Sequence, residues 1–150
     1  MSLEKYRHDA HRWLAQAEAD LRAAQSSTQA GSHEWACFQA QQAGEKTLKA
    51  FWLYHGVDPW GHSLLRLVED FPHLDRRDSI LRPLVEKARC LDKLYIPTRY
   101  PNGLPDLAPF QVYAEEDAQQ GIRAALGILH AIRPLLAPVP SSNNPAIRSS

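Results

Sequence analysis

The 150-residue chain is short of most features that announce a chemistry. No run of about 18 apolar residues occurs, so no segment is built to cross a bilayer as a helix and no membrane partner is expected. The first residues lack the basic-then-apolar pattern of a secretory leader, which points to a cytoplasmic location. The two cysteines, Cys37 and Cys90, have no C-x-x-C spacing and read as thiols packed within helices, not as a disulfide framework or redox pair. Seventeen basic residues are matched by 17 acidic ones, so no overall field draws the chain to nucleic acid. Seven glycines form no phosphate-cradling loop, and neither a Ser-His-Asp order nor a paired-carboxylate constellation stands out. His8 and His11 lie three apart on one helical stretch without a third ligand, so they read as a solvent face; no metal and no cofactor is expected.

What the chain does have is helical periodicity. Apolar residues recur at three-to-four spacing from Glu4 to Thr28 (Tyr6, Ala10, Trp13 or Leu14, Ala17, Leu21, Ala24), which predicts a first amphipathic helix ended by Gly31. A second helix is expected from His33 to His55. It is apolar over more than one face and therefore needs several neighbours or a second subunit; small Ala40, Ala43 and Gly44 admit a close helix approach. Gly56 stops it. A short third helix begins at Ser63 as N-cap, with Leu64, Leu65 and Val68 inward. Pro83 is costly inside a helix and comfortable in a first turn, so the fourth is placed from Arg82 to Tyr95. Residues 96–112 carry four prolines and read as an ordered loop anchored by Tyr100, Leu104, Leu107 and Phe110. A fifth helix covers Ala114 to Ile132, with Glu115, Glu116 and Asp117 on the favourable side of its dipole. The expectation is an all-α, up-and-down bundle of four long helices plus one short helix over residues 1–133, then a disordered tail rich in Pro, Ser and Asn over 134–150.

Charge is patterned locally. From Asp75 to Arg99 seven basic side chains stand against four acidic ones, an excess of three. Lys46 and Lys49, three apart, point to neighbouring positions and suit phosphate contact, or else form a solvated face with Glu45. His62 precedes the cap Ser63, where it can reinforce an anion site at a helix start or bond a loop carbonyl. Arg99 and Tyr100 sit between two prolines; a guanidinium held there can fork onto a phosphate, or pair with Asp92 or Glu116. Arg89 and Lys93, four apart, extend that surface. Trp13, Trp35 and Trp52 read as core or interface, and Trp60, in a turn, as partly exposed.

Three stretches together resemble a known family. Gln41-Gln42-Ala43-Gly44-Glu45-Lys46-Thr47-Leu48-Lys49-Ala50, then His62-Ser63-Leu64, then Leu94-Tyr95-Ile96-Pro97-Thr98-Arg99-Tyr100-Pro101 look like the HEPN domain (higher eukaryotes and prokaryotes nucleotide-binding). Arg12-Trp13-Leu14, Ala17 to Leu21, Glu34 to Phe38 and Thr98 to Phe110 are similar to the HEPN module at the C-terminus of sacsin. The resemblance implies a helical bundle that forms a homodimer. It implies a groove for a nucleotide (GTP- or ATP-like) or other polyanion, and association with a DnaJ/Hsp70-type chaperone or a nucleotidyltransferase. The residues carried into that expectation are Lys46, Lys49, His62, Arg89, Lys93, Arg99 and Tyr100, as ligand-binding and not catalytic groups. One alternative is a dimerisation or docking domain of a larger chaperone-type protein. The disfavoured one is metal-independent RNA cleavage: family nucleases carry Arg, four to six residues, then His, whereas Arg99 is followed by no histidine before His130. Arg66 and His73 meet the spacing, but Phe71-Pro72 lies between them.

Overall fold

The computed structural model describes residues 1–138, and every regular element among them is helical. α1 (Leu3–Gln29) starts on Ser2, whose hydroxyl accepts from the Lys5 N–H, and buries Ala10, Leu14, Ala17, Leu21 and Ala24 along one stripe. α2 (His33–Tyr54) is the central element, with 15 of its 22 residues buried. α1 and α7 cover most of it, and α3 and α5 much of the remainder, so the helix has the several neighbours that its apolar faces require within one chain. At its middle the approach is so close that a Cβ on Gly44 would lie 2.6 Å from Leu91 Cδ1 and 2.8 Å from Leu64 Cδ2. At its end Gly56 (φ +74°) donates to the Leu53 carbonyl, and Val57 to that of Trp52, the paired bonds that close a helix on a left-handed residue.

α3 (Leu64–Glu69) is capped by Ser63, whose hydroxyl accepts from Arg66 N. Its inward set is Leu64, Leu67 and Val68, with Leu65 half-buried instead of inward. The fourth long helical run begins earlier than its proline suggests. A single α turn, α4 (Leu74–Arg76), leads into a π-helical segment (Arg77–Leu81), a 3-10 turn (Arg82–Leu84) and then α5 (Val85–Asp92). Pro83 has no N–H, and its ring would strike the carbonyl four residues back in an unbroken α-helix. The wide π turn before it, closed by Arg82 N–H on the Arg77 carbonyl, moves that carbonyl away and keeps the run continuous. The run stops at Asp92, not Tyr95.

Residues 93–114 form a loop with a 3-10 turn at Pro101–Gly103 and a four-residue helix, α6 (Pro109–Val112). Its expected hydrophobic anchors do not anchor it: Tyr100, Leu107 and Phe110 are exposed and Leu104 is half-buried. Thr98 and Pro109 are the buried residues, with the Thr98 hydroxyl on the Leu94 carbonyl at 2.6 Å. α7 (Glu115–Ile132) is bounded at its start by Asp117, which accepts from the Ala114 N–H at 2.8 Å. The described chain runs on past residue 133 through a 3-10 turn (Arg133–Leu135) to a buried Leu136, and the Ala137 carbonyl lies 2.7 Å from His11 Nε2. Residues 139–150 of the expected tail lie outside the described residues. α1, α2, the run from 74 to 92 and α7 are the four long members of the bundle, and α3 is the short one. No helix among the described residues is long and apolar enough to cross a membrane.

Candidate functional site

The polar centre of the bundle lies on the face of α2 that carries Gln41, Glu45 and Lys49, one helical turn apart. All three are buried, and Glu45 is the hub. Its carboxylate accepts from Gln41 Nε2 at 3.2 Å, pairs with Lys49 Nζ at 3.3 Å and accepts from His62 Nδ1 at 3.4 Å. Gln42 closes the row by donating to Gln41 Oε1 at 2.8 Å. Three buried polar groups in helix-turn register survive only because each satisfies the others, and no buried side-chain nitrogen or oxygen among the described residues lacks a partner. Lys49 also lies with Nζ 5.6 Å from the Trp13 ring centre.

From His62 the site continues outward as a stack. The His62 ring lies nearly parallel to that of Tyr95, with centres 5.0 Å apart. The Arg99 guanidinium sits 4.7 Å from the Tyr95 ring centre, 4.2 Å from that of Phe38 and 5.1 Å from that of Tyr100. Arg99 Nε donates to the Tyr95 carbonyl at 2.9 Å, which fixes the plane of the group. Neither Asp92 nor Glu116 pairs with it, and no carboxylate among the described residues lies within 4.0 Å. Asp92 is committed elsewhere. It accepts from Ser63 Oγ at 2.8 Å, Leu64 N at 2.6 Å and Leu65 N at 3.1 Å, tying the end of α5 to the start of α3 and holding His62 beside Tyr95.

Of the predicted residues, Lys49, His62, Arg99 and Tyr100 therefore belong to one connected chain of contacts through Glu45 and Tyr95. Lys46 leaves it: its ammonium turns to α1 and bonds Asp20 at 2.6 Å. Arg89 is exposed and spent on Glu86 at 2.6 Å. Lys93 is exposed beside a small hollow lined by Cys90, Leu94, Asp117 and Gln120. The excess of basic residues between Arg76 and Arg99 does not form a continuous patch, because Arg77 and Arg82 share Asp78. Arg66 pairs loosely with Asp70 at 3.9 Å, while His73 packs on Phe71 and His55, so the two residues with nuclease-like spacing have different neighbours. Trp52 is core, donating to the Leu67 carbonyl at 2.8 Å, whereas Trp13, Trp35 and Trp60 are exposed. Burial pushes the Cys37 thiol up to about 12, which leaves it protonated and unreactive at neutral pH.

Periodicity and composition alone missed Glu45 as a hub, Tyr95 and Phe38 as the bed of Arg99, and Asp92 as a cross-brace. The first had a visible signal, since an acid flanked by Gln41 and Lys49 at four-residue spacing on an apolar helix demands internal pairing.

A protein-family model of the HEPN domain matches residues 10–135. Among solved structures, a protein from Thermus thermophilus is 41% identical, with a TM-score of 0.76 over 83% of this chain and 96% of that one. An archaeal HEPN homologue is 33% identical, with a TM-score of 0.70 over 85% of this chain and 98% of that one. A HEPN domain protein from Thermotoga maritima is 29% identical, with a TM-score of 0.64 over 84% and 98%. No curated protein matches the chain.

Proposed function

This chain belongs to the HEPN domain family, and we propose that it acts as a non-catalytic binding module that takes a nucleotide or other phosphorylated, anionic ligand at the Arg99 face. One observation carries this reading: Arg99 is a half-buried cation resting on three aromatic rings without a carboxylate within 4.0 Å among the described residues. With Nε held by the Tyr95 carbonyl, its two terminal nitrogens remain as a fixed fork of the kind that receives phosphate in bidentate fashion. The half-exposed ring of Tyr100 beside it offers a stacking surface to a base, and the exposed edge of His62 a second donor. Lys49 contributes by holding Glu45, and through it His62, not by touching ligand.

Calorimetry with ATP, GTP and a short single-stranded RNA tests this. Arg99→Ala is expected to weaken binding at least about tenfold, the loss of one charge-assisted pair, and Lys46→Ala to leave it unchanged. Absence of binding by the unaltered protein to all three ligands, or equal binding by the Arg99 variant, sinks the reading.

A second reading is favoured by a separate observation. Trp35, Ile96, Tyr100, Leu107 and Phe110 are large apolar side chains left 46–70% exposed on the N-terminal part of α2 and the loop after α5. On this reading the module also self-associates as a homodimer, and light scattering at micromolar concentration is expected to give twice the chain mass, falling toward one chain in Phe110→Asp. A monomer at all concentrations excludes it. The finer kinship to sacsin, with docking to a DnaJ/Hsp70-type chaperone or a nucleotidyltransferase, is our extension from the stretches Glu34 to Phe38 and Thr98 to Phe110.

A further inference from the structure

A second basic cluster lies at the far end of α2, about 25 Å from the Arg99 bed at 1.5 Å per residue between Phe38 and His55. α1 contributes Arg7, the end of α2 contributes His55, and the segment after α3 contributes His73 and Arg76. His55 is wedged between Phe51 and Phe71, with ring centres at 4.6 and 5.7 Å, and its centre is 6.0 Å from that of His73. Arg76 Nη1 stands 3.5 Å from His55 Nε2. An arginine only donates, so Nε2 must be the accepting nitrogen and the ring neutral. Arg7 lies over the neighbouring Tyr54 ring at 4.5 Å, and its Nε donates to the Tyr54 carbonyl at 3.3 Å.

No carboxylate among the described residues pairs with this group. Neither Arg7 nor Arg76 has an ion pair among the described residues, in contrast to Arg66, Arg77 and Arg82 in the same part of the fold. Asp58 acts on the Tyr6 hydroxyl of α1, raising its pKa by hydrogen bonding. Asp70 is taken by Arg66, Asp75 is exposed and unpaired, and His11 meets the Tyr54 ring edge-on at 6.4 Å. The α2 dipole explains part of the gathering, since its C-terminal carbonyls carry about half a negative charge and Arg7 caps one of them. Two arginines exceed what half a charge can balance. Burial first, then the charges of Arg76, His73 and Arg7, lower the His55 pKa from 6.5 to about 4.

We propose that Arg7, His55, His73 and Arg76 form a second anion site, built for the oxygens of a phosphate group. An oxyanion entering at Arg76 replaces the long arginine-to-imidazole contact with two charge-assisted bonds, one from each, and His55 takes up a proton as it binds. For an anion whose charge does not change with pH, binding therefore tightens as pH falls toward 4, between the liganded and the ligand-free midpoints of His55; without ligand the ring stays neutral until about pH 4.

The test follows the histidine ring signals of the full chain by NMR through a pH titration in sodium sulfate and in sodium chloride of equal ionic strength. Sulfate stays doubly charged throughout. The His55 midpoint is expected about one pH unit or more higher in sulfate, corresponding to about tenfold tighter binding to the protonated form. Arg76→Gln and His73→Asn, both at exposed positions, are each expected to remove most of that difference, and Arg99→Ala to keep all of it, which separates this site from the one proposed above. Equal midpoints in the two salts, or a full difference in both the Arg76 and the His73 variant, overturns the proposal. Titration with AMP and with inorganic phosphate then identifies the source. Half-maximal amide shifts around His55 at lower AMP concentration mark a phosphate monoester as ligand, and equal concentrations mark free phosphate; no shift with either overturns the site.

Discussion

The middle and the last turn of α2 solve the problem of placing cations beside a hydrophobic core in opposite ways. Near the middle, charge is neutralised inside the subunit: Glu45 holds Lys49 and His62, and Asp20 holds Lys46. Arg99, arriving from the loop, is bedded on aromatic rings in place of an acid. At the last turn no acid is used; the helix dipole, aromatic rings and a deprotonated histidine keep the charges tolerable. The first solution gives a rigid, satisfied scaffold with one guanidinium turned outward from it. The second leaves a standing positive potential. What separates them is the presence or absence of one buried carboxylate.

Removing that carboxylate is the strongest way to break the contrast. Glu45→Ala leaves the buried Lys49 without its 3.3 Å partner and His62 without its acceptor. Stranding a buried ammonium in this way is expected to lower unfolding free energy by about 3–5 kcal/mol, read from urea denaturation. The paired change Glu45→Met with Lys49→Met is expected to restore most of that loss, because no charge remains to be desolvated. By comparison, Arg76→Ala at the other end is expected to leave stability unchanged or slightly raised, since it relieves repulsion and vacates no pair. Equal losses for Glu45→Ala and Arg76→Ala would mean that the Glu45 carboxylate is not what distinguishes the middle of α2 from its last turn.

How much of this is legible in the residues depends on whether the controlling interaction is local in sequence. α1, α2, α3 and α7 can be read because their apolar spacing, the Ser63 cap and Gly56 act within a turn or two. The helical run from Leu74 to Asp92 departs from its expected bounds at both ends because Pro83 is accommodated by a π turn, which leaves no mark on composition. Family motifs point to Lys49, His62, Arg99 and Tyr100, which share one contact chain, and equally to Lys46, while four-residue spacing from Lys93 adds Arg89; neither of the last two joins the chain, because Asp20 and Glu86 face them. Tyr95 and Phe38 are invisible as site residues, since an aromatic within an apolar helical pattern reads first as core, although Tyr95 lies past the end of its helix. The cluster at His55 joins three segments separated by up to 69 positions, and no window along the chain brings Arg7 to Arg76.

A smaller effect sharpens the comparison from the other end. The folded state holds His55 neutral down to about pH 4, whereas in the unfolded chain it titrates near 6.5. Above pH 6.5 both states carry the neutral ring, and the full stability is present. As pH falls from 6.5 toward 4 the unfolded state gains a proton that the folded state refuses, so stability declines across that window and the loss is complete below it. Because His55 is only partly buried, solvent screening reduces the loss to about 1–2 kcal/mol. Denaturant titrations at pH 7 and pH 4.5 are expected to show a decline that is shallower by this amount in His55→Gln. Sulfate in place of chloride at equal ionic strength is expected to flatten the wild-type decline while leaving that of the variant unchanged. A wild-type profile with the same slope as His55→Gln in chloride would mean that neither burial nor the neighbouring arginines hold His55 neutral, and the contrast between the last turn of α2 and the Glu45 region would reduce to exposure alone.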